Sequence, residues 1–161
     1  MDAILVVTTG GTIDKVYFDA KSEFEVGRSL VGELLREAHV HAAYDVVEVL
    51  RKDSLDLTDA DRQTIRGVIA VAPNCRVVVT HGTDTMTDTA RALQGIPGKT
   101  IVLTGALAPA RFANTDAAFN VGMAFAAVQT LPPGVYIAMN GQVFDGAKVR
   151  KDSAANRFVA T

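Results

Sequence analysis

The stretch Ala3-Ile4-Leu5-Val6-Val7-Thr8-Thr9-Gly10-Gly11-Thr12-Ile13-Asp14 decides the fold. Ala3 to Thr8 is an apolar run rich in Ile and Val, without the alternation of a strand that shows one face to water. It reads as a strand covered on both faces. The run ends at Gly10-Gly11, where the backbone can take positive φ and a ligand can approach the main chain. Working outward, the same signature recurs at Val46 to Leu50, Arg76 to Thr80, Thr100 to Thr104 and Gly134 to Met139, each bounded by turn residues. Five buried strands are predicted.

Helical periods fill the gaps. Ser29 to Ala42 puts Leu30, Leu34, Leu35 and Ala38 on one face, and Leu57 to Ala72 opens with Thr58 and Asp61, a capping box with Asp in place of the usual Glu or Gln. Thr85 to Leu93 follows, and then Asp116 to Val128 with Thr115 as its N-cap. This alternation predicts an α/β fold: a doubly wound, mostly parallel sheet with helices on both faces, three layers, flavodoxin-like or Rossmann-like. In Asn140 to Thr161, the turn signals Asn140-Gly141 and Asp145-Gly146 predict a hairpin or short excursion after the last strand. The whole chain, 1–161, reads as one domain without repeat or linker.

Composition narrows the function. The 161 residues are 48% hydrophobic and 21% charged, which points to a globular domain with a substantial core rather than a disordered segment. A net charge of -2, without a basic stripe and interleaved aromatics, argues against nucleic acid as a partner. Cys75 is the only cysteine and reads as a small buried hydrophobe. No apolar run is long enough to span a bilayer, and the N-terminus lacks the charge pattern of a secretory signal, so a cytoplasmic protein with no membrane partner is expected.

Parallel sheets bind ligands beyond the carboxyl ends of their strands, which directs attention to Thr9 to Asp14, Arg51 to Asp56, His81 to Thr87 and Gly105 to Thr115. In the first of these loops, Thr12 leaves a buried strand beside backbone N–H groups. It is either a hydroxyl nucleophile with an oxyanion site, or a turn threonine bonded to the local backbone. The spacing is neither a dinucleotide-binding glycine pattern nor a P-loop. The loop Thr80-His81-Gly82-Thr83-Asp84-Thr85-Met86 sets a hydroxyl beside a carboxylate, either for chemistry or for capping the next helix through Asp84 or Thr85. His81 reads as a structural hydrogen-bonding histidine, and His39 and His41 as surface residues at a helix end. Lys151 alone reads as a solvated lysine and Ser54 alone as a loop serine.

The two threonine loops, in this order and on this strand pattern, resemble the L-asparaginase and glutaminase family. The similarity continues through Asp53-Ser54-Leu55-Asp56, Gly105-Ala106, Pro109, Asp116 and Asn120 to Met139-Asn140, Asp145-Gly146 and Val149-Arg150-Lys151. The resemblance implies hydrolysis of L-asparagine to L-aspartate and ammonia through an acyl-enzyme on Thr12. Thr83, Asp84 and Lys151 would then form a second catalytic group. It further implies that Gly11, Ser54, Leu55, Gly82, Thr83 and Asp84 line the substrate site, that Asp84 holds the α-ammonium and Ser54 the α-carboxylate. No metal or organic cofactor is implied, and the partners would be a small amide and further copies of the chain in a homodimer or larger homo-oligomer.

Three departures qualify the resemblance. Family members usually carry a second, C-terminal domain that completes a neighbour's site, and the chain resembles a short form without it. Phe24 stands where the family has a tyrosine acting on the first threonine, so Tyr17 is the candidate replacement. Leu55 stands where relatives often have glutamine. A catalytically weak amino-acid-binding or assembly module, or a hydrolase of another small amide such as glutamine, is therefore the alternative.

Overall fold

The computed structural model describes residues 2–161. Five parallel strands and one antiparallel strand form the main sheet: β1 (Ile4–Gly10), β4 (Tyr44–Lys52), β5 (Arg76–Thr80), β6 (Thr100–Thr104), β7 (Gly134–Met139) and β8 (Gln142–Asp145). Their spatial order is β4-β1-β5-β6-β7-β8. Counted among the parallel strands alone, this is the 2-1-3-4-5 winding, whose strand order reverses between β1 and β5. The loops leaving those two strands carry Thr12 and Thr83.

Side chains alternate across the sheet. Leu5, Val7, Val77, Val79, Ile101 and Leu103 pack on one face against Ile65 and Ile69 of α2 (Asp59–Val71) and Met86 and Ala90 of α3 (Met86–Ala92). Ile4, Val6, Val78 and Val102 pack on the other against Val31 and Leu35 of α1 (Val31–Glu37) and Val121, Ala124 and Val128 of α4 (Ala117–Thr130). Three layers with two cores result, as the alternation predicts. Thr58 and Asp61 close the capping box of α2 in both directions.

Several expectations need correction. The strand expected at Val46 to Leu50 is not buried: β4 runs along the sheet edge with Val46 exposed on the α1 face and Val47 on the α2 face, neither helix covering the edge fully. The helix expected to reach Ala42 stops at Glu37. His39 turns left-handed there at φ 53°, while the His39 and Val40 N–H groups return to the Arg36 and Leu35 carbonyls. That is a Schellman end with histidine in the place glycine usually takes. At α4 the N-cap residue is Asp116, and the Thr115 hydroxyl makes a local turn, accepting from Ala117 N and donating to the Ala108 carbonyl. Cys75 is exposed, in the turn before β5, rather than buried.

The hairpin expected after the last parallel strand is present. Asn140 and Gly141, both at positive φ, turn β7 back into β8, the pattern of a type I′ turn. A second antiparallel pair, β9 (Val149–Asp152) with β10 (Arg157–Ala160), then carries Lys151. A further hairpin had no sequence expectation: β2 (Lys15–Phe18) pairs with β3 (Glu23–Val26), setting Tyr17 opposite Phe24. Among the described residues no helix is long and apolar enough to cross a membrane.

Candidate active site

Glycines bring the loops together. Gly11 sits at φ 89°, and a Cβ there would overlap the backbone of Gly82. A Cβ on Gly82 would in turn overlap Ser54, and one on Gly105 the His81 carbonyl. The four loops at the carboxyl edge therefore pack directly on one another, backbone to backbone at Gly11 and Gly105 and against the Ser54 side chain at Gly82, at separations that an added side chain would open. Hydrogen bonds lock the same junction. Thr9 Oγ1 donates to the Thr80 carbonyl at 2.7 Å, Gly11 N to the Lys52 carbonyl at 2.9 Å, and Ala110 N to the Ile13 carbonyl at 3.0 Å. Asp116 faces back to accept from Leu107 N, Ala108 N and Asn120 Nδ2, which fixes the loop after β6.

On this frame, Thr83, Asp84 and Lys151 meet. Lys151 Nζ donates to Thr83 Oγ1 at 2.8 Å and to Asp84 Oδ1 at 2.7 Å, although the residues lie 68 and 67 positions apart in the chain. Lys151 is not the solvated lysine that it suggests in isolation: its side chain is 12% exposed, while Asp84 keeps 45%. Thr85 is the N-cap residue of α3 by position, but neither its side chain nor that of Asp84 makes a cap hydrogen bond. Asp84 turns to Lys151, and Thr85 Oγ1 donates to the Ser54 carbonyl at 2.8 Å, pinning the Ser54 loop to the Thr83 loop. Ser54 is buried beside Gly82, whereas Leu55 is exposed at the rim.

The first loop is built differently. Thr12 begins a single 3-10 turn, Thr12–Asp14, and is half-buried. With Lys15, Phe24, Pro109 and Phe112 it lines an open recess of about 210 Å³. Phe24, not Tyr17, forms that wall. Tyr17 is half-exposed and sits edge-on to Phe24 at 5.3 Å between ring centres, and Phe24 meets Phe112 in the same manner at 5.8 Å. Lys15 pairs with Asp53 at 2.9 Å, linking the hairpin to the Ser54 loop.

Two buried titratable groups flank the threonines. Asp14 is pushed up to about 6, mainly by burial and further by Glu48, against a hydrogen bond from Ser29 and the charges of Arg111 and Arg51. Its Oδ1 is buried without a hydrogen-bond partner among the described residues. His81 is wholly buried and pushed down to about 4, first by burial and then by Arg62. Its Nδ1 lies 2.7 Å from the Gly82 carbonyl oxygen and its Nε2 2.7 Å from Thr89 Oγ1, which also accepts from Arg62 Nε at 3.2 Å. His81 is thus the hydrogen-bonded structural residue its position suggests. Arg62, Thr89, Phe112 and Lys15 had no local signal, since their partners are brought to them only by the fold. Among the described residues no cluster of His, Cys, Asp or Glu is placed to hold a metal ion.

Residues 3–159 match the family model described as Asparaginase, N-terminal. The chain is similar to an L-asparaginase of Thermococcus kodakarensis, 31% identical over 158 residues, a match that covers 92% of this chain and 47% of that protein. It is also similar to a glutamyl-tRNA(Gln) amidotransferase component of Methanococcus vannielii, 38% identical over 90 residues, covering 50% of this chain and 21% of that one. Among solved structures, L-asparaginase I of Vibrio cholerae superposes with a TM-score of 0.86 at 28% identity, over 98% of this chain and 51% of that one. The chain spans about half the length of the L-asparaginases that it matches.

Proposed function

This chain belongs to the asparaginase family, and from that premise we propose that it hydrolyses the side-chain carboxamide of L-asparagine to L-aspartate and ammonia. The observation that carries the reading is the contact of Lys151 Nζ with both Thr83 Oγ1 and Asp84 Oδ1, on a loop whose Gly82 abuts Gly11, the residue before Thr12. A hydroxyl on an amine is a proton path, and a second hydroxyl next to it on an open recess is a nucleophile's place.

In the proposed reaction, Thr12 Oγ1 adds to the carboxamide carbon, and the C–N bond then breaks. Nitrogen leaves as ammonia with the proton that Thr12 gives up, and an aspartyl ester remains on Thr12. Water cleaves the ester, one of its protons returning to Thr12 Oγ1 by way of Thr83 and Lys151. Asp84 Oδ2, left free by the lysine, is an acceptor for the substrate's α-ammonium, and the Ser54 hydroxyl beside Gly82 a donor for its α-carboxylate. Tyr17 has the phenol that Phe24 lacks and is the proposed partner of Thr12, with Phe24 rather than Tyr17 lining the recess in the structure. A second copy of the chain would cover the open recess, and two-fold dimers are the commonest way to do so. Catalysis by these side chains requires no metal or organic cofactor.

The exposed Leu55 and the open recess favour a second reading, hydrolysis of a different carboxamide such as glutamine or a larger amide. One experiment separates the readings. Ammonia release is followed from asparagine, glutamine and peptide amides, with rapid-quench intact mass spectrometry of the enzyme. Asparagine turnover with an aspartyl adduct on Thr12 supports the first reading. An adduct without turnover, or aspartate binding with neither, marks the chain as a weak amino-acid-binding module.

A further inference from the structure

His81 has no part in the reaction proposed above, yet its side chain is fully buried directly beside the Thr83 loop. Its bonds define its protonation state. The Gly82 carbonyl can only accept, so Nδ1 at 2.7 Å must carry the proton. Arg62 Nε can only donate, so Thr89 Oγ1 accepts from it and is free to give its own proton to His81 Nε2. The opposite tautomer would set a bare Nδ1 lone pair against a carbonyl oxygen and leave Thr89 with two donors and no acceptor. Hydrogen bonds therefore run one way, Arg62 to Thr89 to His81 to the Gly82 oxygen, and they begin on a fixed positive charge. Chains of this kind polarise along their length, and more so away from water. Thr89 and His81 are fully buried and Arg62 nearly so.

The chain of bonds ends on the peptide that joins Gly82 to Thr83. Gly82 is wedged between the Gly11 backbone and Ser54, so this peptide sits where the first threonine loop, the serine loop and the second threonine loop converge. We propose that His81 is a positioning residue for the reaction, holding and polarising the Gly82–Thr83 peptide at the end of the Arg62–Thr89–His81 hydrogen-bond chain. This reading rests on the amidohydrolase reading above. Pulling electron density toward the Gly82 oxygen makes the Thr83 N–H a stronger donor, and fixing the plane of the peptide aims the Thr83 hydroxyl at Lys151. Because burial keeps His81 neutral down to about pH 4, the polarity of the chain holds across the whole neutral range.

The test combines a spectroscopic and a kinetic readout on the full chain. Nitrogen-15 NMR of the side chain should show His81 protonated on Nδ1 and bare on Nε2 between pH 5 and 8, and Thr89→Val should shift the Thr83 amide proton upfield. In asparagine turnover, Thr89→Val should lower kcat about tenfold with KM within about twofold, equivalent to about 1.4 kcal/mol from one hydrogen bond. Thr89→Ser, which restores the hydroxyl, should recover most of the loss. An Nε2-protonated His81, or a folded Thr89→Val protein with an unmoved Thr83 amide and wild-type kcat, overturns the proposal. The NMR readouts need no turnover. If the wild-type protein releases no ammonia, the functional reading fails while the tautomer and the amide shift still decide this one.

Discussion

The two threonine loops leave adjacent strands of one sheet and are both opened by glycine, yet they are finished to different degrees. Around Thr83 the polar side chains are tied to partners: Lys151 bridges to Asp84, Thr85 holds down Ser54, and His81 is fixed from both ring nitrogens. Thr12 instead lies on a single 3-10 turn, faces an open recess walled by Phe24 and Phe112, and is followed by a buried carboxyl with an unpartnered oxygen among the described residues. The second loop is held by its partners, and the first is left open. Proton transfer needs fixed geometry before substrate arrives, whereas a nucleophile must admit the substrate first.

That contrast can be broken in graded ways. Lys151→Met removes the amine bonded to Thr83 and is expected to lower kcat for ammonia release by about 100-fold or more, measured by coupled assay at saturating asparagine. Gly82→Ala should destabilise the protein by about 2 kcal/mol or more, because the new methyl meets Ser54; urea unfolding checks this, and Gly67→Ala, with open space around it, should cost nothing.

Acid titration probes the two buried groups against each other. His81, depressed to about 4, contributes stability that is present above pH 6.5 and lost as pH falls toward 4. Asp14, raised to about 6, does the opposite: its contribution is present below pH 3.8 and lost as pH rises through 6. The two largely cancel, so wild-type stability should be nearly flat between pH 4 and 6.5. Asp14→Asn should uncover the contribution of His81, making the protein less stable at pH 4 than at 6.5 by up to about 3 kcal/mol in urea unfolding. The smallest expected effect is that of Phe24→Tyr, which puts a hydroxyl on the recess wall beside Thr12 and should raise kcat a few-fold, with Tyr17→Phe lowering it by a similar factor.

Much of the scaffold is legible in the sequence because buried parallel strands announce themselves through unbroken β-branched runs. β1, β5, β6 and β7 fall within two residues of where those runs place them. The edge strand β4 misleads, since Val46, Val47 and Val49 read as core and only the third dimension shows that no full layer covers them. The β2–β3 hairpin escapes such a reading because Lys15 to Val26 mixes charge and aromatics without a hairpin turn signal. In the site, Thr12 and Thr83 are marked by their strand ends. Lys151 is not, for a lysine on a short antiparallel strand carries no local sign that the fold delivers it to a hydroxyl 68 residues away. The Arg62–Thr89–His81 chain is of the same kind, assembled from α2, α3 and the loop after β5.

The central claim is that the two threonine loops are halves of one amidohydrolase site. A double-mutant cycle on kcat/KM for asparagine tests it most directly, with Thr12→Ala, Lys151→Met and the two combined. One shared reaction predicts that each single change costs about 100-fold or more and that the double costs little beyond the worse single. Losses that multiply in the double variant, or a single variant with wild-type turnover, would contradict it.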